Sequence, residues 1–145
     1  MDQAGNLYGT TEYGGHAVDG EADGGVVFEL TPNMDRTWSE NLLYTFCSVK
    51  NCSDGYYPRH GLTFDQAGNL YGTTYWGGHP DGWGVVFKLA PNSKGGWRET
   101  VVHEFLDRPG AQPLGVLTFD PEGNLYGTTS GDNKTTFGSV FEITP

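Results

Sequence analysis

The segments DQAGNLYGTTEYGG from Asp2, DQAGNLYGTTYWGG from Asp65 and DPEGNLYGTTSGD from Asp120 are one motif written three times. Nothing else in the chain constrains its fold as strongly. Self-similarity of this kind marks copies of one supersecondary unit, each too small to bury its own apolar face and stable only when stacked on its neighbours. A second block follows each copy, as GVVFELTP from Gly25, GVVFKLAP from Gly84 and GSVFEITP from Gly138. A third occurs twice, WSENLLYTF from Trp38 and WRETVVHEF from Trp97, and so does a fourth, GLTFD from Gly61 and GVLTFD from Gly115.

Strand and turn chemistry is enough to read these blocks. The run LTFD is short and β-rich, and the Asp-x-x-Gly-Asn that follows is a turn in which Gly68 takes positive φ and Asp65 caps its own backbone. The segments 69–74, VVFKLAP and ETVVHEF then supply three further strands. Four antiparallel strands per unit is a propeller blade. The near-continuous apolar runs in GVVFKL and TVVHEF fit sheets covered on both faces. Gly9, Gly72 and Gly127 stand mid-strand, where a missing side chain is expected to admit another backbone. A β-sandwich competes, since short strands at regular spacing fit it too, but sandwiches do not require near-identical units.

The expected fold is therefore all-β, a propeller-like array of tandem four-stranded blades spanning residues 1–145, with three partial to complete units and an incomplete ring. Unit 1 covers residues 1–46 with its first strand mostly missing, unit 2 covers 61–105 and is complete, and unit 3 covers 115–145 without a fourth strand. Met1 aligns with Phe64 and Phe119, and Pro145 with Pro91. Edge strands left unpaired are a liability that native proteins cover, so further repeats outside the chain or self-assembly are expected.

Composition narrows the partners. Twenty-three glycines, 14% aromatic and 18% charged residues describe a turn-dense, aromatic-packed domain. A formal charge of -10 repels phosphate backbones and anionic lipid, which argues against nucleic acid and membrane surface as partners. No apolar run is long enough to insert in a bilayer, and the start MDQAGNLYGTT lacks the basic and apolar stretches of a signal peptide. An export signal, if the protein is secreted, is expected outside this chain. Cys47 and Cys52 lie in the Gly/Ser/Asp/Asn-rich FCSVKNCSDG, where two thiols alone cannot complete a tetrahedral zinc site. A loop disulfide and an oxidising compartment are the preferred reading, and two buried free thiols the alternative.

GNLYGTT, then GG, then G-x-VFxLTP, then an aromatic-ending strand and a Cys-x4-Cys-x-Asp-Gly loop resemble the Gloeo/Verruco tandem repeat, or GloVer repeat, of bacterial surface proteins. The resemblance covers essentially the whole chain. It implies a propeller-like repeat region of secreted, often anchored, bacterial proteins, hence an extracellular or cell-surface location, and brings no catalytic residues with it. Unit 3 departs from the pattern after Thr129, where SGDNKTTFG replaces the Gly-Gly loop.

In an antiparallel meander the Asp-x-x-Gly-Asn turns share one rim, and the opposite rim collects what differs between units: residues 12–24, 47–60, 75–83, 107–114 and 130–136. Loops on a rigid scaffold carry function. There Tyr13, His16, Tyr56, Tyr57, Arg59, Tyr75, Trp76, His79 and Trp83 offer flat apolar faces beside hydrogen-bonding tips, suited to a carbohydrate or a protein ligand. The structural alternative is that Trp76 and Trp83 plug the gap between blades. Asp19, Glu21 and Asp23 before Gly24 place carboxylates at alternate positions, as calcium loops do, but the downstream acid of an EF-hand is missing and a solvated acidic loop is the simpler reading. No other cofactor is expected.

Catalysis finds less support. His16, His60, His79 and His103 form no H-x-H or H-E-x-x-H pattern, and no G-x-S-x-G elbow exists. Glu40 and Glu99 could be paired carboxylates for glycoside hydrolysis, but their recurrence at equivalent strand positions argues for a structural role. The leading expectation is a non-catalytic binding segment. A carbohydrate-active enzyme using rim acids, His60 or His79 with a sugar on Trp76, and a structural spacer, are the alternatives.

Overall fold

The computed structural model describes residues 1–15, 23–79, 82–106, 110–131 and 137–144. The strands are β1 (Leu7–Thr11), β2 (Val26–Pro32), β3 (Trp38–Thr45), β4 (Thr63–Phe64), β5 (Leu70–Thr73), β6 (Val85–Pro91), β7 (Trp97–Glu104), β8 (Pro113–Phe119), β9 (Leu125–Thr129) and β10 (Val140–Ile143). They form three antiparallel meanders: sheet 1 is β1-β2-β3, sheet 2 is β4-β5-β6-β7 and sheet 3 is β8-β9-β10. Among the described residues there is no α-helix, only a single 3-10 turn at Lys50–Cys52.

The repeated turn explains why each meander starts as it does. Asp65 Oδ1 accepts from the N–H groups of Ala67 and Asn69, both at 2.9 Å, while Oδ2 accepts from the Asn69 amide. Gly68 takes φ 83° to close the loop. Asp2 and Asp120 are held by Asn6 and Asn124 in the same way. Desolvation alone would raise these three carboxyls, but the hydrogen bonds outweigh it and hold each below the ordinary aspartate value.

The mid-strand glycines admit an aromatic ring rather than a backbone, which corrects the sequence-based expectation. Gly9, Gly72 and Gly127 lie directly opposite Phe28, Phe87 and Phe141 on the next strand. A Cβ at Gly72 would stand 2.6 Å from the Phe87 ring. Each phenylalanine thus lies flat across its own sheet. The outer strands also share a feature, a bulge opposite Val27/Phe28 in sheet 1 and opposite Val86/Phe87 in sheet 2.

Strand β6 shows how the sheets stack. Val85, Phe87 and Leu89 enter one core cluster with Val27, Leu43 and Phe46 of sheet 1. Val86, on the other face, enters a second cluster with Leu117 and Leu125 of sheet 3. Sheet 2 is therefore covered on both faces along β6, which is why GVVFKL reads as a continuous apolar run. In the TVVHEF run of β7, by contrast, burial alternates and Val102 and His103 are exposed, which corrects the both-faces expectation there. Three sheets in series exclude a two-sheet sandwich. The first strands of sheets 2 and 3 meet where the Thr63 hydroxyl donates to the Leu117 carbonyl.

Candidate functional site

The described parts of the loops that differ between units lie at the end of the sheets opposite the aspartate turns, as the strand order requires. A shared strap anchors them. Tyr57 and Gln112, each just before a proline, take φ 60°. The Tyr57 N–H donates to the Gly24 carbonyl at 2.8 Å, and its own carbonyl accepts from Tyr75 N–H at 3.0 Å. Gln112 repeats this with Trp83 at 2.9 Å and Ser130 at 3.0 Å. Pro58 and Pro113 then rest on Gly25 and Gly84, where a Cβ would come within 2.7 Å of the ring. A left-handed tyrosine is uncommon, and its recurrence as Gln112 shows that the fold requires the conformation.

On this base the rim aromatics form one patch. Tyr13 meets Tyr57 at 5.1 Å between ring centroids, and Tyr57 meets Tyr56 at 4.8 Å. Tyr56 and Trp76 exchange backbone hydrogen bonds at 2.8 and 3.1 Å, and Trp76 touches Tyr75 at 5.2 Å and Trp83 at 4.9 Å. The Arg59 guanidinium lies 3.9 Å above the centre of the Tyr75 ring and is ion-paired with Glu12. Tyr13 is exposed, while Tyr57, Tyr75, Trp76 and Trp83 are half-buried. Trp83 also leans on the second core cluster, so that it joins the patch to the interior.

Of the sequence-predicted ligand residues, Tyr13, Tyr57, Arg59, Tyr75, Trp76 and Trp83 come together. His79 is exposed on the loop between β5 and β6 and has no ring contact with the patch. His16 lies outside the described residues. Electrostatics within the patch follow its packing: the hydrogen bond and charge of Glu12 push the Tyr13 phenol up, and burial followed by Tyr57 does the same to Tyr56. Burial, then the charge of Arg59, lowers the His60 imidazole, whose Nε2 is buried without a hydrogen-bond partner.

Asp19 and Glu21 of the expected calcium loop also lie outside the described residues. Asp23 is exposed, and among the described residues no group of three His, Cys, Asp or Glu stands close enough to hold a metal ion. Cys47 and Cys52 are joined in a disulfide, which removes the free-thiol alternative.

Sequence reasoning missed Asp54, two residues beyond that bridge. It is buried to 2% exposure and accepts from the Tyr44 hydroxyl at 2.8 Å, from Ser48 N–H at 2.9 Å and from the Ser48 hydroxyl at 3.0 Å. Facing it from sheet 2 is Glu99, whose carboxyl is pushed up to about 7, first by burial and then by the charge of Asp54. One Glu99 oxygen is buried without a partner. A cleft of about 690 Å³ opens here between Tyr44 and Val49 on one side and Trp97 and Glu99 on the other. The equivalent Glu40 is exposed on β3. The signal for Asp54 lay in the Cys-x4-Cys-x-Asp-Gly spacing, but its acceptor role needed the loop's course.

Comparison with known proteins places this geometry. No curated protein matches the chain significantly. A crystal structure of a protein provisionally named a gluconolactonase, a propeller, superposes with a TM-score of 0.57 at 23% sequence identity. The match takes in 100% of this chain but 42% of that one, so this chain spans less than half the length of the structure it resembles. At that identity the likeness shows the fold, which is a run of propeller blades. The family model for the Gloeobacter/Verrucomicrobia repeat matches residues 1–145, and the chain belongs to that family.

Proposed function

We propose that this propeller segment is a non-catalytic module of an extracellular or cell-surface protein that binds carbohydrate through its aromatic rim. The patch of Tyr13, Tyr57, Tyr75 and Trp76, edged by the Arg59–Glu12 ion pair, carries the proposal. Half-exposed rings give a sugar flat faces to stack on, and the fixed polar groups beside them orient its hydroxyls. The disulfide supports an oxidising location, and among the described residues no helix is long and apolar enough to cross a membrane. A hydrolase reading is less well supported, because Glu12 is tied to Arg59 and the His60 Nε2 is buried.

The test is a glycan array followed by calorimetry on the ligands it finds, with a reducing-sugar assay alongside. Binding without turnover is expected, weakened about tenfold or more by Tyr13→Ala and Tyr75→Ala. Turnover would replace this reading with the enzymatic one. Capture of proteins but no glycans would make the rim a protein-binding surface, and no binding at all would leave a spacer.

A further inference from the structure

The two contacts between sheets use the same positions. Tyr8 meets Phe64 and Tyr71 meets Phe119 edge-on, both at 5.1 Å. Phe46 meets Phe87 at 4.9 Å and Phe105 meets Phe141 at 5.1 Å. The valines in these contacts, Val27 and Val86, are 0% exposed. Their counterpart on the far face of sheet 3 is Val140, which is 76% exposed, with Phe137 nearby at 91%. On the far face of sheet 1 stand Leu42 at 55% and Trp38 at 49%, the counterparts of Val101 and Trp97, which pack into the first core cluster.

We propose that these two outer faces are the halves of one more contact of the same kind, made head to tail between two copies of this chain, sheet 3 of one on sheet 1 of the other. Continuity with the internal contacts identifies the occupant, because the positions left open on one face are those that the other face covers inside the chain. Exposed apolar patches on a soluble protein mark association sites. The contact is heterologous, and such contacts close into rings when the rotation allows. Two copies bring six sheets together, within the range over which blades close into a propeller, so a dimer is the expected product. Both copies carry a charge of -10, so salt should strengthen the association by screening their repulsion.

The experiment is sedimentation equilibrium of the 145-residue chain up to about 100 μM, with Val140→Glu and Leu42→Glu variants separately and mixed. The wild type should dimerise, and either variant should raise the dissociation constant about tenfold or more. Mixing the two variants should restore one good contact, because each retains the face that the other has lost. Both positions are exposed in the single chain, so circular dichroism and melting of dilute variants should match dilute wild type. A wild type that stays monomeric, association indifferent to either charge, or a mixture that fails to recover would overturn the proposal.

Discussion

Gly72 and Gly68 are conserved in kind between units for opposite physical reasons. At Gly68 a Cβ would meet nothing within 4 Å, and only the φ of 83° demands glycine. At Gly72 the φ is ordinary and the obstacle is the Phe87 ring at 2.6 Å. Gly68→Ala should therefore lower stability by about 1 kcal/mol. Gly72→Ala should lower it by about 1–3 kcal/mol, since the ring must leave a fully packed core. Urea unfolding of both variants checks the order, and truncating Phe87 alongside Gly72→Ala should show strong non-additivity. The turn was legible because Asp-x-x-Gly-Asn states its own chemistry. The glycine–phenylalanine pairing was not, since sequence shows a missing side chain but not which neighbour fills the space.

Between elements, the informative pair is Asp54 on the loop after β3 and Glu99 on β7. Asp54 accepts hydrogen bonds from Tyr44 and Ser48. Glu99 is half-buried beside it, so the folded state favours its neutral form. Its carboxyl titrates near 7 in the folded chain against an ordinary 4.5. The stabilisation from the neutral form is complete below about 4.5, declines as pH rises between 4.5 and 7, and is absent above that. Glu99→Gln should abolish this fall and make the chain more stable than wild type at pH 8, by at most about 1–2 kcal/mol after solvent screening. Melting curves from pH 4 to 8 give the comparison. Equal pH profiles in wild type and variant would remove the account. Glu99 was legible only as a repeated strand position with a structural role, whereas its acidic neighbour comes from a non-repeating loop and depends on how the disulfide directs the chain.

Across the whole molecule, burial is graded from the middle outward. Sheet 2 has cores on both faces, while sheets 1 and 3 have one each. Hydrogen exchange in the dilute monomer should follow, slowest at Val85 to Leu89 and fastest in β1 and β10, since repeat stability is a sum of unit and neighbour terms. Uniform protection across the three sheets would mean that they unfold as one. The blade architecture and its two rims were readable from motif order alone. The rim's aromatic contacts were readable only as a list of residues, because irregular loops carry no period from which contact can be inferred. The strap has its own bearing on how such arrays are cut and rejoined. Pro58, ahead of sheet 2, sits on Gly25 beside sheet 1, and Pro113, at the start of sheet 3, sits on Gly84 beside sheet 2. A transplantable cassette therefore runs from one prolyl clasp to the next, and grafts spliced at strand ends would sever the fastening they were meant to carry.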